Sequence, residues 1–522
     1  MGLTATTESH SPSSDQPLKQ KLGGYEFYRQ VLGSPKFIVA PMVDQSELAF
    51  RTLCRRYGAQ LVYTPMINAK LFATDPRHRR HAFNMIHGEE GSPLFHPRLS
   101  SSSSSSASSP SPAPSIPSTD RPLIVQFSAN DPQYLLAAAK IVEPYCDAVD
   151  INLGCPQDIA KKGRYGSWLQ DEWDLIYQMI NILHLNLNIP VTAKFRIFPS
   201  IEKSVEYAKM LERAGAQMVV CHGRTREQRG HNTGLASYPH IVAIKNALSI
   251  PVIANGNILF YEDLEACLKE TGADGVMCAE GVLYNPALFA PAQGSSALST
   301  TATTPTSPSP STLPLTTLAG HHPPHTSLAF EYLSIVLSQR TPTPFSAIKG
   351  HLFKILRPAI VKHHDLRDRL GKVGIRRTKV VSGEKFEGPG EEDGVEREGG
   401  CYVRGLTRGE RREERDGGEG WREGVEEYIR VVREFEKRME IDQATYPHTI
   451  STHPDTNLRV LPHWLAQPYF RPPPLRDVAP QKPVVNPDLE RRLEEFRRRQ
   501  LGRVDDGVIK EGDHEVLGQA DL

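Results

Sequence analysis

The sequence predicts an α/β fold of the (β/α)8, TIM-barrel kind, followed by a smaller all-helical domain, with disordered inserts and tails. Three observations carry this. Eight short, near-continuous apolar runs recur along the first half of the chain. Helix-length patterns separate most of them, and with one insert set aside they fill roughly 250 residues, the usual size of such a barrel. Polar or glycine positions close the runs, where a barrel carries its chemistry. A doubly wound open sheet is the alternative. It needs no count of eight and usually shows a glycine-rich fingerprint after its first strand, which is absent here.

The runs are Phe37–Met42, Leu61–Met66, Leu123–Ser128, Ala148–Leu153, Val191–Ile197, Met218–Gly223, Val252–Gly256 and Gly275–Glu280. Buried parallel strands read this way, apolar on both faces and rich in Val and Ile. Helical spacing between them marks Glu47–Tyr57, Tyr134–Glu143, Glu172–His184, Ile201–Ala214, Tyr238–Asn246 and Tyr261–Thr271. A disordered tail is expected over 1–24 and the barrel over 25–290, with a serine/proline insert at 97–120. A Ser/Thr/Pro-rich linker follows at 291–326, since neither low-complexity stretch can bury enough apolar surface to offset its ordering entropy. A helical domain is expected over 327–442, with Val425, Tyr428, Val431, Val432 and Phe435 on one helix face and a charged insert at 383–420. Residues 443–522 read as a proline-rich and charged tail.

At 522 residues the chain exceeds one ordinary domain. Its formal net charge is zero, so contact with nucleic acid must come from a local basic patch. Seven cysteines without paired spacing argue for a reducing compartment, and without a CxxC neither a structural zinc nor an iron–sulfur site is expected. No metal is assigned. No apolar stretch reaches bilayer length and the N-terminus lacks a signal-peptide h-region. A soluble intracellular protein is expected, in the cytoplasm with the nucleus left open, with no membrane association and no obligate protein partner.

The stretch that organises the rest is Asp150-Ile-Asn-Leu-Gly-Cys-Pro-Gln157, where a strand breaks at Gly154 and a cysteine stands just past the break. Alone, Cys155 reads as one more small buried residue. The other strand ends change the weighing: Pro41-Met42, Gln126, Asn152, Lys194 with Arg196, His222 with Arg224, Asn255-Gly256 and Ala279-Glu280-Gly281 gather ionisable or hydrogen-bonding groups on one rim. Gly256 and Gly281 allow close backbone approach at the last two strands, where barrels often bind phosphate; ordinary turn glycine is the rival reading. A flavin mononucleotide would place its phosphate there and its ring across the mouth. Lys194 then either stands beside that ring or forms a salt bridge with Asp150.

Ala40-Pro-Met-Val-Asp-Gln45, Asp150-Ile-Asn-Leu-Gly-Cys-Pro156, Ala193-Lys-Phe-Arg196, His222-Gly-Arg-Thr225 and Ala254-Asn-Gly256, spaced in this order, resemble the tRNA-dihydrouridine synthase family. The resemblance covers Phe37–Phe289 and extends loosely into the helices after Ser327. Leu461-Pro-His-Trp464 with Gln467-Pro-Tyr469 is most similar to the eukaryotic subgroup acting on positions 16 and 17 of the tRNA D-loop. The resemblance implies FMN-dependent reduction of a uridine C5–C6 double bond, with NADPH (or NADH) as reductant. On matching positions it assigns Pro41, Met42, Val43, Gln126, Lys194, His222, Asn255, Gly256, Asn257, Ala279, Glu280 and Gly281 to FMN, and Cys155 as catalytic acid. Ala279-Glu280 departs from the Gly-Arg of many bacterial members, which puts the phosphate contact in doubt.

A free thiol, with a pKa of about 8.5, keeps its proton at neutral pH and can donate it. Asn152, Arg196 and Arg224 are assigned to the substrate. So are Lys349, Lys354 and Arg357, which begin a basic stripe running through Lys362, Arg367, Arg369, Lys372, Arg376, Arg377 and Lys379. The rival functions are another FMN barrel that reduces a small molecule, such as a dihydroorotate dehydrogenase or ene-reductase, and a non-catalytic tRNA-binding protein.

Overall fold

A computed structural model describes residues 21–84, 120–290, 321–374, 396–398, 401–403, 418–446, 449–454 and 456–470. Most of the expected tails, inserts and linker, and Arg376, Arg377 and Lys379, lie outside the described residues.

Nine parallel strands form one sheet. They are β1 (Phe37–Val39), β2 (Leu61–Tyr63), β3 (Ile67–Asn68), β4 (Leu123–Ser128), β5 (Ala148–Leu153), β6 (Val191–Arg196), β7 (Val219–His222), β8 (Val252–Asn255) and β9 (Gly275–Cys278). β1 pairs with β9 and β2 with β4, so the sheet closes on itself. The barrel proper is therefore eight strands, and β3 is a two-residue addition against the end of β4. Closure excludes the open doubly wound sheet. The intervening helices fall where periodicity puts them, for instance Leu48–Arg56, Pro132–Val142, Trp173–Asn186 and Ile201–Ala214.

Because side chains alternate along a strand, each strand sends every second residue into the barrel. Those nearer the strand starts are mostly apolar: Ile38, Leu61, Tyr63, Ile124, Ala148, Val220, Ile253 and Met277 form one buried cluster. Those nearer the C-terminal ends are polar: Gln126, Asp150, Asn152, Thr192, Lys194, His222 and Asn255. Register aligns them, with Gln126 opposite Asp150, Asn152 opposite Lys194 and His222 opposite Asn255. The same period that builds the core thus builds the site above it.

Residues 21–24, the described end of the expected tail, pack onto the barrel. Residues 24–30 form a helix whose Phe27 and Tyr28 join the barrel's inner apolar cluster. Gly24 N–H donates to Gln217 at 2.9 Å and Lys21 to the His184 carbonyl at 2.8 Å. Asp120, expected inside the insert, is buried against Arg51, accepting from Nη2 at 2.6 Å and Nε at 3.0 Å.

Beyond the barrel, helices His325–Ser338, Phe345–Ile355, His364–Lys372 and Glu419–Thr445 pack together, Trp421, Val425, Tyr428, Val431, Val432 and Phe435 turning inward from the last. His325–Ser338 lies on the barrel helix Leu48–Arg56, and Phe345–Ile355 on the short helix Glu280–Tyr284 after β9. At this seam Glu47 is buried between Tyr332 Oη (2.8 Å) and His351 Nε2 (2.9 Å).

Two expected boundaries shift. Residues 321–326, placed in the linker, are packed: His322 and His325 are buried, and Ala466 N–H donates to the Pro323 carbonyl at 2.9 Å. Residues 449–470, placed in the tail, carry a small hairpin, Ser451–Thr452 against Arg459–Val460, followed by buried Leu461, Trp464, Leu465 and Ala466. Prolines hid the packing from a reading by period, because this segment satisfies its backbone through loop and bridge hydrogen bonds rather than a regular element.

Candidate active site

The Cys155 loop is held from beneath by a chain of hydrogen bonds rising through the barrel. Asp150, fully buried, accepts from Thr192 Oγ1 at 2.6 Å and from Gln126 Nε2 at 2.8 Å. That fixes the Gln126 amide, whose Oε1 accepts from Asn152 Nδ2 at 2.8 Å. The Asn152 oxygen is thereby aimed upward, where it accepts from the N–H groups of Gly154 (3.1 Å) and Cys155 (2.9 Å). On its other side the Cys155 carbonyl accepts from Ser167 N–H at 3.1 Å and Ser167 Oγ at 3.0 Å. Gly166, at φ +67°, lets the chain pass so close that a Cβ would stand 2.6 Å from the Cys155 carbonyl. With both backbone groups fixed, the half-buried thiol projects from a rigid turn.

Lys194 hydrogen-bonds to Asn255 rather than to Asp150. Its Nζ donates to Asn255 Oδ1 at 2.9 Å, while both Asp150 oxygens are engaged by Thr192 and Gln126. Asn255 is fixed in turn by donating to the Met277 carbonyl at 2.8 Å. Burial, reinforced by Arg196, lowers the Lys194 pKa to about 8 against the opposing pull of Asp150, Cys221 and Cys155. Burial raises Asp150 to about 6, with the Thr192 and Gln126 hydrogen bonds and Lys194 opposing.

Between β7 and β8, Arg224 Nη1 lies 3.1 Å from His222 Nε2, and Nη2 donates to Asn257 Oδ1 at 3.1 Å. A guanidinium only donates, so His222 Nε2 accepts and the imidazole proton sits on Nδ1. Burial, then Lys194, Arg196 and Arg224, push the His222 pKa well below its ordinary value, and the ring is neutral. Asn257 is left-handed at φ 62° and is locked by Ala236, whose N–H donates to it at 2.8 Å. Gly256, at φ +126°, leaves room where a Cβ would meet Ala236 Cβ at 2.6 Å and approach Arg224 Nη1 to 3.3 Å.

The other rim residues sort by burial. Val43, 49 % exposed, stands on the loop after β1 with Pro41 and Met42 half-buried behind it. Gln126 is fully buried and bonded at both ends, so its place is beneath the mouth. Gly281 is buried, with Ala279 and Glu280 half-exposed at the head of a short helix. Arg196, assigned to substrate from sequence, is nearly buried and donates to the carbonyls of Gly154 (2.9 Å) and Thr225 (2.7 Å). It ties the cysteine loop to the loop after β7. Arg224 likewise orients His222 and Asn257.

The basic stripe divides as well. Lys349 is half-buried and donates to the Gly371 carbonyl at 2.7 Å, and Lys354 donates to Gln45 Oε1 at 2.7 Å on the barrel rim. Arg357 is exposed, over the Tyr469 ring at 5.0 Å, and Arg367, Arg369 and Lys372 are exposed too. Sequence reasoning missed a second cluster of cations, in which Arg226 is paired with Asp171 and Glu227 and Arg229 with Asp158. Lys161, Arg226 and Arg229 surround the Trp168 ring at 5.0, 5.5 and 5.9 Å, directly beside the Cys155 loop. Its signal was present in Lys161-Lys-Gly-Arg164 and in Arg224-Thr-Arg-Glu-Gln-Arg229, which meet only in the fold.

Residues 38–323 match the dihydrouridine synthase (Dus) family profile, more than half of the chain. The chain belongs to the dihydrouridine synthase family. Among similar family members, a Saccharomyces cerevisiae protein named tRNA-dihydrouridine(16/17) synthase is 40 % identical over 473 residues, covering 89 % of this chain and 90 % of its own. A Rattus norvegicus protein named as like that synthase is 44 % identical over 353 residues, covering 68 % of this chain and 67 % of its own. Both names carry NAD(P)(+). A Homo sapiens protein named for positions 20a/20b is 38 % identical over 256 residues, only 48 % of this chain.

Proposed function

We propose that this dihydrouridine synthase reduces uridine to 5,6-dihydrouridine at positions 16 and 17 of the tRNA D-loop, using FMN and NADPH or NADH. The observation that carries the reading is the pinned thiol of Cys155 on the same barrel mouth as the Lys194 ammonium. The donor set fits the cofactor: a cation at mid-rim suits an electron-rich ring edge, and Arg224, Asn257 and the opening at Gly256 suit a phosphate. Lys194, His222, Asn255, Gly256 and Asn257 would hold FMN, with Pro41, Met42 and Val43 along its apolar side and Ala279, Glu280 and Gly281 at the last strand. Gln126 acts from beneath by orienting Asn152. When bound, the flavin supplies a hydride to uracil C6 after reduction by the nicotinamide.

The chain's own groups do the rest. Negative charge develops across uracil C5 and O4, and Cys155 delivers its proton to C5 from the opposite face, the thiolate then regaining one from solvent. Lys194 stabilises negative charge at the mouth by Coulomb attraction. Asn152, Ser167 and Arg196 keep the thiol in place, the pre-orientation that makes one proton donor effective. The target uridine must leave its fold to reach the mouth, at a cost of roughly a few kcal/mol. Lys161 beside the Cys155 loop, and Arg357, Arg367 and Lys372 on the helical part, supply the phosphate contacts.

The yeast 16/17 relative matches through the helical part and beyond, whereas the 20a/20b relative covers under half of the chain; this supports positions 16 and 17. The test is incubation of the full-length protein with unmodified tRNA, FMN and NADPH, followed by position-mapped mass spectrometry. Dihydrouridine at 16 and 17 is expected. Turnover of orotate or enones without any on tRNA would select the small-molecule flavoenzyme instead.

A further inference from the structure

The helical part holds a cluster that the reaction does not use. His363 lies between helices Arg357–Ile360 and His364–Lys372, Asp442 near the end of helix Glu419–Thr445, and His463 after the small hairpin. Their ligand-capable atoms all lie within 4.8 Å of one another. Asp442 Oδ2 is 3.0 Å from His363 Nε2 and 2.7 Å from His463 Nε2, and it is nearly buried. Lys362 Nζ stands in the same space, 3.1 Å from that oxygen and 3.4 Å from His463 Nε2, over the Tyr446 ring at 3.5 Å.

Three groups converge on one oxygen: both imidazole Nε2 atoms and the Lys362 ammonium lie within hydrogen-bonding distance of Asp442 Oδ2. His363, Asp442 and His463 are also the donor set that a cation bridges, because each deprotonated imidazole nitrogen offers a lone pair and the carboxylate a negative oxygen. The Lys362 ammonium already occupies part of that position, and, at 33 % side-chain exposure, it can swing into water. Tetrahedral coordination at about 2.0–2.1 Å spaces donors by roughly 3.3 Å, close to the 3.0 and 2.7 Å that separate the two imidazole nitrogens from Asp442 Oδ2.

We propose that His363, Asp442 and His463 form a binding site for a divalent transition metal of the zinc class, with water in the fourth position. The absence of a CxxC does not bear on such a nitrogen and oxygen set. The site joins three segments of widely separated sequence. One of them leads to Tyr469, which stacks on Tyr284 at the barrel's last helix (5.5 Å). Bound metal therefore fastens the 456–470 segment onto the helices and the barrel.

The test uses the full-length, FMN-loaded protein, stripped with a chelator and titrated with zinc sulfate against a chromophoric competitor, with Co(II) absorption as a second readout. One equivalent should bind, the Co(II) spectrum should show four-coordinate nitrogen and oxygen ligation, and the unfolding temperature should rise. His463→Ala and Asp442→Ala should weaken binding at least about tenfold. Lys362→Met removes the competing ammonium and should tighten it several-fold, an effect that misfolding cannot mimic. No zinc uptake by the folded wild type, or uptake unchanged in both His463→Ala and Lys362→Met, would overturn the proposal and leave an ion-pair cluster.

Discussion

Two buried carboxylates have pKa values shifted in opposite directions. Asp150, inside the barrel, meets only neutral donors, the Thr192 hydroxyl and the Gln126 amide, and burial raises it to about 6. Glu47, at the seam with the helical part, is as deeply buried, yet its pKa is lowered, because His351 and Tyr332 together outweigh the desolvation. The mouth keeps its charges apart: Lys194 bonds to Asn255, and Asp150 orients amides that end at Cys155. The seam pairs them. A site built for chemistry tolerates partly compensated charge, whereas a docking surface neutralises it.

This contrast predicts that changes at the seam act on stability and changes at the mouth on rate. The largest effect on stability is expected for Glu47→Ala, about 3–5 kcal/mol, since it strands His351 and the Tyr332 hydroxyl in the interior. Urea unfolding of the full chain measures it, and a loss below about 1 kcal/mol would break the comparison. Lys194→Met should lower single-turnover reduction of tRNA by about 10²- to 10³-fold with little change in unfolding midpoint. In the wild type the rate should fall as pH rises through about 8, where the ammonium loses its proton.

Asn152→Ala releases the N–H groups of Gly154 and Cys155, so turnover should fall by up to about 100-fold. The signature of positioning is a drop in kcat with KM for tRNA nearly unchanged; an equal change in both would instead place Asn152 on the substrate. The smallest effect concerns pH. The folded pKa of Asp150 is raised, so its contribution to stability is complete below about pH 4 and is lost as pH rises through about 6. The folded pKa of Glu47 is lowered, so its contribution is present above the ordinary carboxylate value and is lost as pH falls below it. Relative to wild type, Asp150→Asn should therefore gain stability between pH 5 and pH 7 while Glu47→Gln should not, readable as unfolding midpoints across roughly that range.

Much of the mouth was legible because one period of two writes both core and site: the residues two apart from Ile124, Ala148, Thr192 and Ile253 are Gln126, Asp150, Lys194 and Asn255. What sequence could not fix was the choice of partner. Lys194 had Asp150 and an open mouth as candidates, and Asn255, 61 residues away, took its hydrogen bond. Glu47 and His351 are 304 residues apart, so no local pattern announces their pairing. The helix at 24–30 is too short for periodicity to reveal, and the packed stretch at 456–470 lacks a regular element. Arg196, assigned to the substrate, ends a strand at the rim and donates to the carbonyls of Gly154 and Thr225. Its carbonyl partners show that a charge at a barrel mouth also serves to hold loops.

The central claim is that a pinned Cys155 protonates C5 of a D-loop uridine. The most direct test expresses wild type or Cys155→Ala in cells lacking this protein, with dihydrouridine mapped by position and folding checked by unfolding midpoint. Wild type should restore dihydrouridine at 16 and 17, while equally stable Cys155→Ala should fall short by the about 10²- to 10⁴-fold rate of a missing general acid. Full restoration by Cys155→Ala would contradict the account and move the proton donor elsewhere on the rim.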